Sequence, residues 1–121
     1  KSLNNKPGIY SARLAKKNGG FANAMKYLLR KLEKKRNRSA TFICCLSFKS
    51  PNQKIINVVG RIEGTISKKI LGKKGFGYDP IFIPEGYSQT FGELGEAVKH
   101  MLSHRARAVE KLSKRLQALC L

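Results

Sequence analysis

The sequence predicts an α/β or α+β layered fold, on three observations. An apolar stripe at helical spacing appears early, at Phe21, Ala24, Met25, Leu28, Leu29 and Leu32. Two long runs rich in β-branched and aromatic residues follow, and a second helical stripe then runs from Glu96 to the end of the sequence. A sheet buries its apolar face only beneath other elements, so the order helix, strand, strand, short strand, helix implies helices laid on a sheet. At 121 residues the chain has the size of one modest domain.

Taken in order, "KSLNNKPGIYSAR" opens with the turn formers Asn4, Asn5, Pro7 and Gly8. The turn-like "NGG" then introduces the first helix, which reaches about Glu33 and carries mostly Lys and Arg on its polar face. "SATFICCLSF" reads as a buried strand by its apolar content, and "PNQ" as the turn into "KIINVVGRIEGTISKKI". In that second run Ile62, Gly64 and Ile66 alternate with Arg61, Glu63 and Thr65, as a half-buried strand requires, and Gly60 is a candidate bulge. Together they predict an antiparallel pair. "PIFIP" is short and bracketed by prolines, which confine it to a sheet edge. From Glu96 onward Val98, Met101, Leu102, Val109, Leu112, Leu116 and Leu119 predict one long closing helix.

Composition bounds the function classes. The formal net charge is +18, from 25 Lys and Arg against 7 Asp and Glu. The densest cluster, "RKLEKKRNR" (residues 30–38), falls where a helix ends, and cations there complement the helix dipole. A solvated helix end is therefore the first reading and contact with nucleic acid the second. Cys44, Cys45 and Cys120 have no CxxC spacing, so neither a disulfide framework nor a zinc site is expected. Cys44 and Cys45 read instead as small core hydrophobes in a reducing compartment. The longest apolar run, "FICCL", is far shorter than a membrane span, and the expectation is a cytoplasmic protein with no membrane partner.

Two stretches carry chemistry. "GKKGFGYDP" places Gly72, Gly75 and Gly77 around Phe76, Tyr78 and Asp79, the sole aspartate of the chain. Glycines permit positive φ and close backbone approach, so the loop is suited to hold a planar group against its aromatic faces. The Walker spacing GxxxxGK[ST] is absent. The competing reading makes this a glycine turn in which Asp79 caps its own backbone. The second stretch, "VKHMLSHRARAVEKL", offers Lys99, Ser103, His104 and Arg105 as donors near a helical turn, against the alternative of a solvated helix face. Adjacent Ser103 and His104 diverge on a helix and have no evident orienting acid, which argues against a hydrolase triad. His100 and His104 lack the HExxH context of a metal pair.

"GFGYDPIFIPEGYSQTFGEL" followed by "KHMLSHRARAVEKL", with "KPGIYSAR" upstream, resembles the inosine triphosphate pyrophosphatase family over nearly the whole chain. The resemblance implies hydrolysis of ITP, dITP and XTP to the nucleoside monophosphate and pyrophosphate, with Mg2+, in a homodimer. It also implies the C-terminal part of an elongated two-lobed α/β fold with a long mixed sheet flanked by helices. By motif, Phe76, Gly77, Tyr78 and Asp79 would form one wall of the nucleotide site and Lys99, His104 and Arg105 the other. A purine deaminated at position six presents an oxygen where adenine presents an amino group, so donors from the 103–105 segment would favour the former.

Val98 and His100 depart from the Glu and Asn that flank this lysine in the family. The family's SxNxxK motif and its acidic DSG segment would lie before Lys1, and with them the Mg2+ ligands and the general base. No catalytic or metal-ligating residue is therefore assigned within the chain. The expectation is a single incomplete domain (1–121), truncated, marginally stable and weakly active, with Phe42, Ile43, Ile55 and Val58 short of cover. The alternatives are a small basic nucleic-acid-binding protein, with nucleic acid not the expected partner, and a noncatalytic module completed by a separately encoded piece.

Overall fold

The computed structural model describes residues 1–52 and 54–119. Cys120 and Gln53, the last residue of the "PNQ" turn, lie outside them. A short helix α1 (Ser11–Lys17) precedes α2 (Phe21–Leu32), followed by strands β1 (Ser39–Lys49), β2 (Ile55–Ile66) and β3 (Phe82–Pro84) and helices α3 (Phe91–Leu94), α4 (Glu96–Leu102) and α5 (His104–Leu119). The sheet order is β1-β2-β3. Along β1 and β2 the contacts step in opposite senses, Arg38 with Ile66, Ser47 with Asn57 and Ser50 with Lys54, as in a hairpin. The α/β expectation therefore holds, as does the antiparallel pair. β3 pairs antiparallel with the end of β2, Gly64 opposite Pro84 and Ile66 opposite Phe82. Its length of three residues and its place at the end of the strand order are what the flanking prolines require.

The chain divides into two compact units. The first comprises Lys1–Ala40 and Glu63–Glu96; the second comprises Thr41–Ile62 and the residues from Ala97 onward. In the first unit α2 buries Ala24, Met25, Leu28 and Leu32, the i, i+4 and i+3 positions of one face. Met25, Leu28 and Ile81 form a core to which Leu14, Ile66 and Tyr78 are added. Phe82 stacks on Phe91 at 5.6 Å between ring centres, both fully buried. α1 was not anticipated: the turn formers Asn4 to Gly8 mask a helix that begins only at Ser11. A second unforeseen feature is the capping box of α3, in which the Glu93 carboxylate accepts from the Thr90 N–H at 3.0 Å.

Arg38 ties this unit together. Its Nε donates to Ile66 O at 2.8 Å, Nη1 to Leu32 O at 2.9 Å and Nη2 to Ser67 O at 2.6 Å. One planar guanidinium thereby serves the end of α2 and the end of β2 together. Arg38, the last residue of the basic run, is thus a structural clasp rather than part of a solvated helix end.

In the second unit Ile56, Val58, Gly60 and Ile62 alternate inward along β2, and Ala108 of α5 is fully buried. Gly60 is not a bulge. A Cβ there would lie 2.0 Å from His104 O and 2.4 Å from Ala108 N, so the missing side chain lets the α5 backbone approach the strand. Arg107 Nη1 donates to Arg61 O at 2.8 Å and Lys111 Nζ to Val59 O at 2.7 Å, binding α5 further to β2.

Three expectations need correction here. "SATFICCLSF" is a strand but not a buried one: Ile43 is 50% exposed, Cys44 is half-buried and Cys45 is exposed, so these cysteines are not core residues. The shortage of cover falls on Ile43 and on Ile55, which is 62% exposed, whereas Val58 is buried and Phe42 packs edge-on against His104 at 5.3 Å. The closing helix is not continuous. It breaks at Ser103, whose Oγ accepts from the Ala106 N–H at 3.1 Å and caps α5.

Two outcomes are expected. Arg38→Ala lowers stability by about 2–3 kcal/mol, because three carbonyls lose a charged donor, and Arg38→Lys restores only part of it; urea denaturation midpoints measure both. Gly60→Ala costs about 1–3 kcal/mol, since the atoms it meets are backbone rather than a flexible side chain, and it accelerates hydrogen exchange in α5.

Candidate functional site

The glycine loop of the first unit is fixed by its own aspartate. Asp79 is 4% exposed, and its Oδ2 accepts from the Phe76 N–H at 2.9 Å. The Asp79 N–H in turn donates to Phe76 O at 3.2 Å, closing a tight turn. A Cβ on Gly75, which has φ +74°, would lie 2.1 Å from that same Oδ2. The carboxylate therefore occupies the space a side chain at 75 would need, and glycine is required there both by φ and by volume. Further hydrogen bonds hold the loop's flanks, Leu71 N–H to Pro80 O at 2.8 Å and Lys74 N–H to Gly92 O at 2.9 Å. Thr90 Oγ1 donates to Leu71 O at 2.6 Å, so the cap of α3 also holds the loop.

Phe76 and Tyr78, two apart in sequence, meet different fates. Phe76 is 56% exposed. Tyr78 turns inward: its hydroxyl donates to Ser11 O at 2.6 Å, and its ring meets Phe21 edge-on at 5.3 Å. Burial raises the Tyr78 phenol above its ordinary value of 10.0. Gly77, at φ +62°, sits between them and reverses the chain. Of the two readings of this loop, self-capping by Asp79 is what the geometry contains, with an aromatic ring left on the surface as its result.

The cationic segment belongs to the second unit. Lys99 is half-buried on α4, its carbonyl accepting from the Ser103 N–H at 2.8 Å. His104 opens α5, half-buried with its ring on Phe42, and Arg105 follows on the exposed side. The break at Ser103 means that Lys99 and Arg105 do not share one helix. Sequence reasoning missed the cap at Ser103 and the supports of Tyr78, namely Ser11 and Phe21. The cap left a signal only in its residue type; the supports, 67 and 57 residues away by number, left none.

Among the described residues no group of three His, Cys, Asp or Glu side chains converges as a metal-ligand set. No described helix is long and apolar enough to cross a membrane.

The chain belongs to the Ham1 family, whose profile matches residues 1–115. A dITP/XTP pyrophosphatase of Chlamydia pneumoniae is 46% identical over 121 residues, covering 98% of this chain and 59% of its own. One from Caulobacter vibrioides is 45% identical over 117 residues, covering 95% of this chain and 60% of its own. Among solved structures, the Ham1 protein of Staphylococcus aureus superposes with a TM-score of 0.90 at 36% identity, over 97% of this chain and 61% of its own. The chain thus spans about three-fifths of the length of these relatives. The family resemblance read from the motifs is shown.

The pH dependence of Tyr78 provides a test of this packing. Its folded-state phenol is raised, so the folded form holds its proton more tightly than the unfolded chain. The resulting stability is complete below the unfolded value near 10.0 and is lost as pH rises through the folded value. Urea midpoints for the wild-type chain are expected to fall as pH rises above that value, and Tyr78→Phe to fall less over the same interval.

Proposed function

We propose that this chain provides the base-recognising part of a nucleoside triphosphate pyrophosphatase acting on purines that have lost an amino group. The reaction is hydrolysis of ITP, dITP or XTP: water adds at the α-phosphorus, the bond to the bridging oxygen breaks, and nucleoside monophosphate and pyrophosphate leave. Phe76 offers its ring to the purine, and stacking on one aromatic face contributes about 1–3 kcal/mol without distinguishing bases. Gly77 shapes the bend. Asp79 acts through Phe76, by holding the turn that keeps the ring outside the core. Tyr78 anchors the loop from beneath.

Discrimination falls to the donors Lys99, His104 and Arg105. An oxygen at position six accepts from them, whereas the amino group of adenine opposes donor to donor and leaves both unpaired, at a cost of roughly 1–3 kcal/mol. Lys99 suits a phosphate or a base oxygen as a point charge, and Arg105 suits a planar acceptor. Mg2+, a homodimeric assembly and a cytoplasmic location belong to this proposal as properties of the whole enzyme. No general base is assigned to the residues described.

The observation that carries this reading is the Asp79 brace, which uses a buried carboxylate and a mandatory glycine to leave one aromatic ring on the surface. The +18 charge favours a second reading, a polyelectrolyte contact with nucleic acid. Calorimetric titration of the chain with ITP, XTP and ATP separates the two. ITP and XTP are expected to bind at least about tenfold more tightly than ATP, with Phe76→Ala and Arg105→Ala each weakening ITP by about tenfold. Equal affinities for ITP and ATP, or oligonucleotide binding that dominates both, sink the first reading.

A further inference from the structure

A groove of about 440 Å³ lies within the first unit, between the N-terminal turn and helices α1 and α2. None of the residues assigned to base recognition lines it. Its floor is apolar, from Leu14, Leu28 and Pro7, and its rim carries Lys6, Arg13, Lys17 and Lys31. All four cations are exposed, and no carboxylate is among the lining residues. Such a surface has a preferred partner sign, since an anionic group gains at every rim position and a cationic one loses at each.

Four kinds of occupant can be compared on this geometry. A second copy of the chain would bring a net charge of +18 against a cationic rim, and like charges oppose that pairing. A small polar ligand needs a few buried groups to fix its orientation, whereas the rim cations are all on exposed positions. A nucleic-acid strand needs open aromatic faces, but Arg13 lies over Tyr10 at 5.0 Å and Lys31 over Tyr27 at 5.6 Å, so each ring already holds a cation on one face. An amphipathic acidic segment meets both requirements, placing apolar side chains on the floor and carboxylates at the rim.

We propose that this groove is a docking surface for an acidic amphipathic segment of a partner protein. Its apolar side chains lie on Leu14 and Leu28, and its carboxylates meet Arg13, Lys17 and Lys31. The surface is independent of the base-recognition reading and stands or falls apart from it.

The probe is a fluorescent peptide of about 16 residues in a Leu/Glu helical pattern, with a Gln-for-Glu counterpart and a thymidine oligonucleotide of similar length. Anisotropy titrations of the 121-residue chain are run at low and high salt. The acidic peptide is expected to bind at least about tenfold more tightly than its Gln counterpart. The double variant Arg13→Glu/Lys31→Glu is expected to lose about tenfold for the acidic peptide, while a double reversal at exposed positions outside the groove, Lys49→Glu/Lys54→Glu, loses less than about threefold. Far-UV circular dichroism confirms that each variant is folded; if the groove variant is not, Arg13→Gln/Lys31→Gln replaces it, with a loss of at least about threefold expected. Equal losses from the two reversals mean attraction to net charge alone and overturn the proposal. Equal binding of the Gln peptide, or an oligonucleotide that binds more tightly than the acidic peptide and responds to the groove variant, overturns it as well.

Discussion

The hydrogen bond between the Asp79 carboxylate and the Phe76 amide is the constraint on which the candidate site depends. A buried carboxylate is costly unless its oxygens are satisfied, and a tight turn that turns its amides toward it supplies partners at short range. The same oxygen fills the volume a side chain at residue 75 would take. Two consequences follow from one contact: the turn is closed around a buried carboxylate, and glycine is required at residue 75, beside an exposed Phe76. The aspartate shapes the surface from within, which makes a direct role at a base edge secondary to its role in the loop.

Support for that turn radiates through backbone rather than side-chain packing. Leu71, Lys74 and Gly92 exchange main-chain hydrogen bonds with the loop and with α3, and Gly72 and Gly92 are close enough that a Cβ on the former would lie 2.1 Å from the carbonyl of the latter. Main-chain contacts of this kind tolerate no side chain between them. Tyr78 adds a side-chain anchor from farther away in sequence, reaching Ser11 and Phe21 and so coupling the loop to both early helices. The glycines of "GKKGFGYDP" therefore mark close approaches at least as much as turn geometry, which explains their density around a single acidic residue.

How much of this was legible follows from the range of each interaction. Helix α2, strand β2 and the edge strand β3 are local patterns of period or punctuation, and their positions follow from residues within each segment. Self-capping by Asp79 was equally accessible, because donor and acceptor lie three residues apart. The failures concern partners brought from afar. Gly60 reads as a bulge until α5 is laid against it, and Arg38 reads as one more surface cation until the ends of α2 and β2 converge on its fork. Burial of "FICCL" was overestimated for a related reason: apolar content specifies what a strand tolerates, while neighbouring elements decide which of its faces is covered.

The break at Ser103 shows why a helical stripe underdetermines function. Hydrophobic spacing continues across it, so period alone predicts one helix, and Lys99 and Arg105 then appear as fixed points on one rigid rod. A buried serine caps α5 at that point, and His104 and Arg105 become the first residues of a new helix, where the helix dipole adds to the side-chain donors. Ser103 itself takes up one backbone N–H of that helix, and the Arg107 N–H reaches the Ser103 carbonyl at 3.0 Å. The start of α5 is therefore set by the Ser103 cap, and the His104 ring by its packing on Phe42, rather than by the sequence spacing that first drew notice to the segment.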